Sequence, residues 1–460
     1  MNKQTLAEQL AMDPRIAQAK ALLLETVRDY QTKISGVKPA EEELKQRYAE
    51  LIQKFEKHRG AKLWFPYLGS GFGKGALVEL MDGSIKYDFI CGIGPHFFGH
   101  DHAALISSGI DAAMTNTVMQ GHLQQNIDSA KLTDSLIKAS GFDHCFLTTS
   151  GAMANENALK VAFQKKFPAY RILAFDKCFV GRSLAISQIT DKSLFREGLP
   201  PTLHVDYLPF FDAARPEEST AEAVATLKKL LVRYPKQYAA MCFELVQGEG
   251  GFYSGTKEFF IAIMTLLKDQ GIAIFDDEVQ SFGRLPELFA FQYFGLEKYV
   301  DIVSIGKLSQ VCATLYRENF CPRPGLLSQT FTGSTSAIRA AQVMLDLLLA
   351  GRFYGPRGKI EQIQNEFIKK LTALSQKYPF LIQGPFGVGC MIAFTPLDGT
   401  AEKAHRFVRE LFDAGVVSFI AGTNPTRVRF LIPAGAITFE DIDKAMEIIE
   451  STLVQQKNQD

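Results

Sequence analysis

Lys307 closes a strand-like run, Asp301-Ile-Val-Ser-Ile-Gly-Lys307, about thirty residues after a second run that ends Ile-Phe-Asp-Asp277-Glu-Val-Gln280. A lysine amine can condense with an aldehyde, and a carboxylate held against a pyridine nitrogen keeps that ring protonated and able to accept electrons. The pair suggests chemistry on an aldehyde-bearing pyridine cofactor. Taken alone, Lys307 reads equally as a strand-end surface lysine and Asp277 as a helix or turn cap, so the surrounding pattern has to decide.

That pattern is an alternation of helical stretches with short apolar runs between about residues 105 and 335. The runs are Cys145-Phe-Leu-Thr-Thr, Arg171-Ile-Leu-Ala-Phe, Ala240-Met-Cys-Phe-Glu-Leu-Val, Ile272-Ala-Ile-Phe and Ile302-Val-Ser-Ile. Continuous apolar strands between helices predict an α/β architecture with a mostly parallel sheet covered on both faces. In such sheets ligands sit beyond the carboxyl ends of the strands, and each run here is followed closely by a residue able to bind one. One example is Ser150-Gly-Ala-Met-Ala-Asn-Glu-Asn-Ala-Leu-Lys160, a helix start reached through a glycine, whose free N–H groups suit a phosphate.

The flanking segments read differently. Residues 1–60 are charged and helix-patterned, with Leu44, Tyr48, Leu51, Ile52 and Phe55 at helical spacing, and are expected to form an extension packed on the body or on a partner subunit. Residues 61–105 carry a hairpin in which Asp82-Gly83 turns between Val78-Glu-Leu-Met and Ser-Ile-Lys-Tyr-Asp. Residues 106–345 form the large unit. Residues 346–460 form a smaller α+β unit, with helices near 358–377, 401–414 and 439–455 and strands at Cys390-Met-Ile-Ala-Phe, Val416-Val-Ser-Phe-Ile and Arg427-Val-Arg-Phe-Leu. Thr438 followed by Asp441 starts the last helix.

Composition narrows the partners. Lysine plus arginine equals aspartate plus glutamate at 50 each, which gives no electrostatic case for nucleic acid or an anionic membrane. Seven scattered cysteines, at 91, 145, 178, 242, 312, 321 and 390, mostly within apolar runs, read as buried thiols in a reducing, cytoplasmic compartment. A small-molecule substrate is expected.

Four segments together resemble one family, the class III aminotransferases of fold type I, which use pyridoxal 5'-phosphate. They are the helix start at Ser150, Gln247-Gly-Glu-Gly-Gly, Phe275-Asp-Asp-Glu-Val-Gln-Ser-Phe-Gly-Arg284 and Gly306-Lys-Leu-Ser-Gln-Val-Cys312. Met81-Asp-Gly-Ser-Ile-Lys-Tyr-Asp-Phe and Gly99-His-Asp-His are also similar, so the resemblance spans roughly residues 75 to 435. It implies that Lys307 binds the cofactor aldehyde and then moves a proton between the substrate carbon and the cofactor carbon, while Asp277 holds the pyridinium. Gly151 and Ala152 would bind the phosphate through N–H groups, Phe179 would stack on the ring, and Gln280 would reach the phenolic oxygen. Thr330 matches the threonine that reaches the neighbouring subunit's phosphate, implying a homodimer with shared sites.

Substrate carboxylates call for guanidinium forks. Arg182 and Arg429 occupy the two family arginine positions, Glu249 matches the family's switch glutamate, and Glu244 is expected to be a supporting carboxylate. The implied reaction passes a terminal amino group to 2-oxoglutarate, giving a semialdehyde and glutamate. The motifs are most similar to the lysine ε-aminotransferase branch, with 4-aminobutyrate and ornithine enzymes as alternatives. A racemase, mutase or lyase of the same class, and a non-catalytic binding protein on the same fold, are the other readings. Met153, Val180 and Ile432 depart from the common family residues. Ser150 and Met153 replace the cysteines that hold an iron–sulfur cluster in some relatives, so no metal is expected.

Two competing motifs fail. Gly69-Ser-Gly-Phe-Gly-Lys74-Gly lacks the phosphate-loop spacing, because glycine follows the lysine, and is expected to be a flexible turn near the site entrance. No Gly-x-Gly-x-x-Gly follows a strand, which argues against a nicotinamide enzyme.

Overall fold

A computed structural model describes residues 3–116, 118, 119, 121 and 123–457. At its centre lies a seven-stranded sheet in the order His144–Thr148, Cys312–Tyr316, Ile302–Ile305, Ala273–Glu278, Tyr238–Phe243, Arg171–Phe175, His204–Leu208. The sheet is mostly parallel; Cys312–Tyr316 is antiparallel to both neighbours. The three central strands are buried along their whole length, which is why they read as continuous apolar runs instead of alternating ones. Phe175 packs edge-on against Phe210 and Phe243, with ring centroids 5.0 and 5.4 Å away, and ties the sheet to the Lys257–Asp269 helix through Phe259. Each such buried ring contributes roughly 1.5–3 kcal/mol.

A direct consequence of the parallel arrangement is that Thr148, Phe175, Phe243, Glu278 and Ile305 end at one edge of the sheet. The register sets Asp277 beside Ser304 on the neighbouring strand. The chain then leaves each strand into the segments that carry Gly151, Phe179, Glu244, Gln280 and Lys307.

Two four-stranded sheets flank this one. In the first, Leu77–Leu80 and Ile85–Asp88 form the expected hairpin, with Gly83 at φ +75° and its N–H donating to the Leu80 carbonyl. The glycine-rich Gly69–Lys74 segment is the third strand of that sheet, which corrects the expectation of a flexible turn. Small residues are needed there because a Cβ on Gly73 would lie 2.5 Å from both His100 Cβ and the Leu77 carbonyl oxygen. The second sheet has the order Ile382–Val388, Met391–Pro396, Arg427–Leu431, Phe419–Ala421. The run at 416–420 is therefore two short strands in different sheets: Val416–Val417 pairs in parallel with Ile85–Asp88, whereas Phe419–Ala421 pairs with Arg427–Leu431.

The helices Lys359–Lys377, Ala401–Ala414 and Phe439–Lys457 lie where the periodicity placed them, and Thr438 and Asp441 cap the last one reciprocally. The N-terminal helices Pro14–Gln31 and Glu42–Arg59 pack on the body: Lys20 pairs with Asp111 at 2.7 Å, and Gln31 donates to the carbonyls of Gly73 and Asp101. Tyr48 and Ile52 are buried, but Phe55 is 48% exposed, so the apolar stripe is narrower than the spacing implied. Among the described residues, no helix is long and apolar enough to cross a membrane.

Candidate active site

Beyond the strand ends lies a cavity of about 300 Å3 lined by Gly151, Ala152, Asn155, Phe179, Val180, Gly181, Arg182, Glu244, Asp277, Val279, Gln280 and Lys307. Sequence reasoning named eight of these twelve residues. Its volume is at the lower end of the roughly 300–1,000 Å3 of small-molecule sites.

Lys307 reaches the cavity from a strained turn. After Ile305 the chain passes through extended Gly306, and both Lys307 (φ +53°) and Gln310 (φ +61°) take a positive φ, which costs of order 1–3 kcal/mol for a non-glycine residue. Gln310 secures the turn by donating to the Pro95 carbonyl at 2.9 Å. Glycine at 306 suits the packing, since a Cβ would crowd Cys312 Sγ and Val279 Cγ1 at 3.0 Å. Burial pushes the Lys307 ammonium below its ordinary range, with Asp277 and Glu249 opposing that effect and Arg429 and Arg284 adding to it. A lowered lysine is a better nucleophile and base near neutral pH.

Asp277 is the last but one residue of its strand and is buried. Its Oδ2 accepts from Asn155 Nδ2 at 2.7 Å and its Oδ1 accepts from Val279 N at 3.0 Å, with the Ser304 hydroxyl 3.4 Å from Oδ1. Ser304 in turn donates to Asn155 Oδ1 at 2.5 Å. Burial raises the Asp277 carboxyl to about 6, and these donors together with Lys307 restrain the rise. Asn155 and Ser304 were not anticipated as site residues. The signal was present for Asn155, which follows Gly151 by four positions and so lies on the same helix face.

Glu244 is buried between two donors, accepting from Phe179 N at 2.7 Å and Gly248 N at 3.1 Å. Burial and the neighbouring Asp277 raise it to about 8. Its geometry is that of a loop anchor, positioning the Phe179 segment and the Gly248 turn.

Arg429 is fully buried. It forms a close ion pair with Glu249 and donates from Nη1 to Gln280 Oε1 at 3.0 Å, while its Nε has no partner among the described residues. Burial alone would raise Glu249, but Arg429, by charge and by hydrogen bond, with Lys192 and Lys307 behind it, holds that carboxyl below its ordinary value. Arg182 is different: it is exposed at the mouth and stacks 3.9 Å over the ring of Phe195, with no ion pair among the described residues. Thr330 is exposed and does not line the cavity.

The residues present fit pyridoxal phosphate. The N–H groups of Gly151 and Ala152 open the Gly151–Lys166 helix and have no carbonyl one turn earlier to bond. Met153 N is capped by the Ser150 hydroxyl, and a Cβ on Gly151 would lie 2.6 Å from Val279 Cγ1, so the backbone approach is open only to glycine. Opposite this cradle are the buried carboxylate of Asp277 and the amine of Lys307. These residues would hold the phosphate, the ring nitrogen and the aldehyde.

The sequence matches the family model described as Aminotransferase class-III over residues 71–453. Among curated proteins it is 29% identical over 402 residues to an acetylornithine aminotransferase of Methanocaldococcus jannaschii, covering 84% of this chain and 93% of that one. It is 27% identical over 398 residues to an acetylornithine/succinyldiaminopimelate aminotransferase of Yersinia pestis, covering 83% and 91%. Among solved structures, lysine aminotransferase from M. tuberculosis superposes with a TM-score of 0.78 at 23% identity over 87% of this chain and 99% of that one. The ornithine aminotransferase of Toxoplasma gondii ME49 gives 0.78 at 22% identity over 89% and 96%. With the family model spanning most of its length and the cofactor cradle in place, the chain belongs to the class III aminotransferases, enzymes dependent on pyridoxal phosphate.

Proposed function

We propose that this enzyme is an ω-aminotransferase that passes the terminal amino group of a donor to 2-oxoglutarate, giving a semialdehyde and glutamate. The observation that carries the reading is the ion pair of partly exposed Glu249 with fully buried Arg429, together with an Arg182 that has no ion pair among the described residues. When bound, pyridoxal phosphate supplies an aldehyde carbon for the amine and a protonated ring that draws electrons from the substrate carbon. Lys307 holds the cofactor and, once displaced, carries a proton at Nζ. Asp277 keeps a negative charge at the ring nitrogen, aimed by Asn155 and Ser304. Phe179 covers one face of the ring, Gln280 approaches from the Arg429 side, and Glu244 fixes the loop bearing Phe179.

Arg182 binds the carboxylate of a donor, so that the far amine and not the α-carbon lies at the reacting centre. Glu249 meanwhile neutralises Arg429, which would otherwise attract an α-carboxylate. 2-Oxoglutarate, with two carboxylates, engages both arginines and displaces Glu249. L-Lysine is our donor of first choice, with 4-aminobutyrate and ornithine next; the likeness in fold to a lysine aminotransferase supports it. The relatives named acetylornithine aminotransferase favour a second reading, a donor whose α-amine is masked. Either is tested by tracing the donor nitrogen, since a label on the terminal amine should reach glutamate within one turnover.

The same reading includes a cytoplasmic homodimer in which Thr330 serves the neighbouring subunit's phosphate, supported by its exposure outside the cavity of its own chain. The predominantly buried free thiols support the reducing compartment, although Cys321 is exposed. Cofactor loss and dissociation should then be linked on dilution. A fully loaded, active monomer in such a series would remove the shared site.

A further inference from the structure

Sharing one aromatic ring with Arg182, just outside the residues that line the cavity, is a second cation that none of the cofactor or carboxylate roles uses. Lys192 is half-buried, and its ammonium makes no hydrogen bond or ion pair with any described residue. Its Nζ lies 5.5 Å from the centroid of the Phe195 ring, the same ring over which the Arg182 guanidinium sits at 3.9 Å. Phe195 stands edge-on to Phe179, the ring that faces the cofactor space, at 6.2 Å. One aromatic side chain therefore holds two cations next to the cavity that Arg182 and Phe179 line.

Their placement is fixed by the backbone. The Thr190 hydroxyl accepts from Val180 N at 3.0 Å and Gly181 N at 3.2 Å and donates to the Gly181 carbonyl at 2.8 Å, which clamps the loop carrying Arg182. Asp191 accepts from Lys177 N at 2.8 Å, and Lys192 N donates to the Thr190 carbonyl at 2.9 Å. Gly181 itself sits at φ +135°, where a side chain would be strained and would press on Ile186 Cδ1 at 2.3 Å. Burial lowers the Lys192 ammonium; of the charged groups around it, Glu249 and Glu244 oppose this and Arg429 and Arg182 reinforce it. With Glu249 committed to Arg429, the mouth keeps two unmatched positive charges.

We infer that Lys192 is a specificity-determining residue that, together with Arg182, selects donors whose end remote from the reacting amine bears net negative charge and disfavours those with a free α-ammonium there. This deepens the ω-aminotransferase reading and rests on it, and between the two donor readings given above it favours the donor without a free α-ammonium over L-lysine. A carboxylate held by Arg182 brings any α-ammonium on the adjacent carbon towards Lys192, where like charges repel. Donors lacking that ammonium, or carrying a second acid group in its place, meet only attraction.

The test uses donor pairs that differ only in the α-ammonium: 5-aminopentanoate against L-ornithine, and 6-aminohexanoate against L-lysine. kcat/KM, scored by the semialdehyde formed, is measured for holoenzyme of wild type, Lys192→Arg, Lys192→Met and Lys192→Glu. Wild type and Lys192→Arg should prefer the monoamino donor by about tenfold, the size of one partly screened charge–charge interaction. Lys192→Met should bring the ratio towards one and Lys192→Glu should invert it, with the change falling on KM more than on kcat. A wild-type ratio that favours the diamino acids contradicts the inference without any variant, as do ratios identical in all four proteins. If none of the four donors discharges the wild-type enzyme while glutamate does, the ω-aminotransferase reading itself fails and takes this inference with it.

Discussion

Replacing Lys307 by alanine is expected to lower turnover by about four orders of magnitude, the upper end of what a positioned acid–base group supplies, while leaving the protein able to bind pyridoxal phosphate. The two effects separate because different groups carry them. Retention depends on the N–H groups at the start of the Gly151–Lys166 helix and on Asp277, which is held by Asn155 and Val279 independently of the lysine. Turnover depends on an amine that is half-buried and lowered by desolvation, and no other lysine lines the cavity. The measurement is steady-state kcat alongside cofactor content after gel filtration. Comparable turnover by the variant without added amines would take Lys307 out of its role.

Glu249→Ala should act on the choice of donor and not on the chemistry of the cofactor. Arg429 is fully buried, and without Glu249 its remaining side-chain partner is Gln280, with Nε already unpartnered. Leaving a buried donor group unsatisfied costs about 1–3 kcal/mol. A donor that offers an α-carboxylate relieves that cost and is drawn in the wrong way round for ω-transfer. The ratio of kcat/KM for ω-amino donors to that for α-amino donors should therefore fall roughly five- to a hundredfold, with 2-oxoglutarate comparatively unharmed because it displaces Glu249 in any case. The comparison needs 4-aminobutyrate, lysine and glutamate in both proteins. An unchanged ratio would mean that the pair is structural, and the reading would lose the observation it stands on.

What could be seen in the sequence follows from how each feature is encoded. Strands buried on both faces leave contiguous apolar runs, so the sheet and the residues just past its strand ends were legible, and with them Lys307, Asp277, Gly151 and Glu244. Strand direction is not written in such runs. Cys312–Tyr316 looks like its neighbours but runs opposite to them, because the strained turn at Lys307–Gln310 reverses the chain within a few residues. Ser418 gives no local hint that it separates strands of two sheets. Glycine-rich 69–74 reads as a loop by propensity, yet the closeness of His100 makes it a strand without side-chain bulk. The polar partners were the hardest to see. Asn155 meets Asp277 across 122 residues of chain, a contact that exists only once the sheet has assembled, and Lys192 gains its meaning from a ring shared with Arg182 through a fold of the loop that no periodicity marks.

The most direct test of the account is to follow nitrogen. Loaded wild-type enzyme is mixed in single-turnover amounts with L-lysine or L-ornithine carrying nitrogen-15 on either the terminal or the α-amine, then with 2-oxoglutarate, and the glutamate formed is examined by mass spectrometry. The account predicts label in glutamate from the terminally labelled donors and none from the α-labelled ones. Label arriving from the α-amine instead would contradict it, since the donor would then be seated by its α-carboxylate on Arg429, the arrangement that the ion pair with Glu249 is placed to prevent.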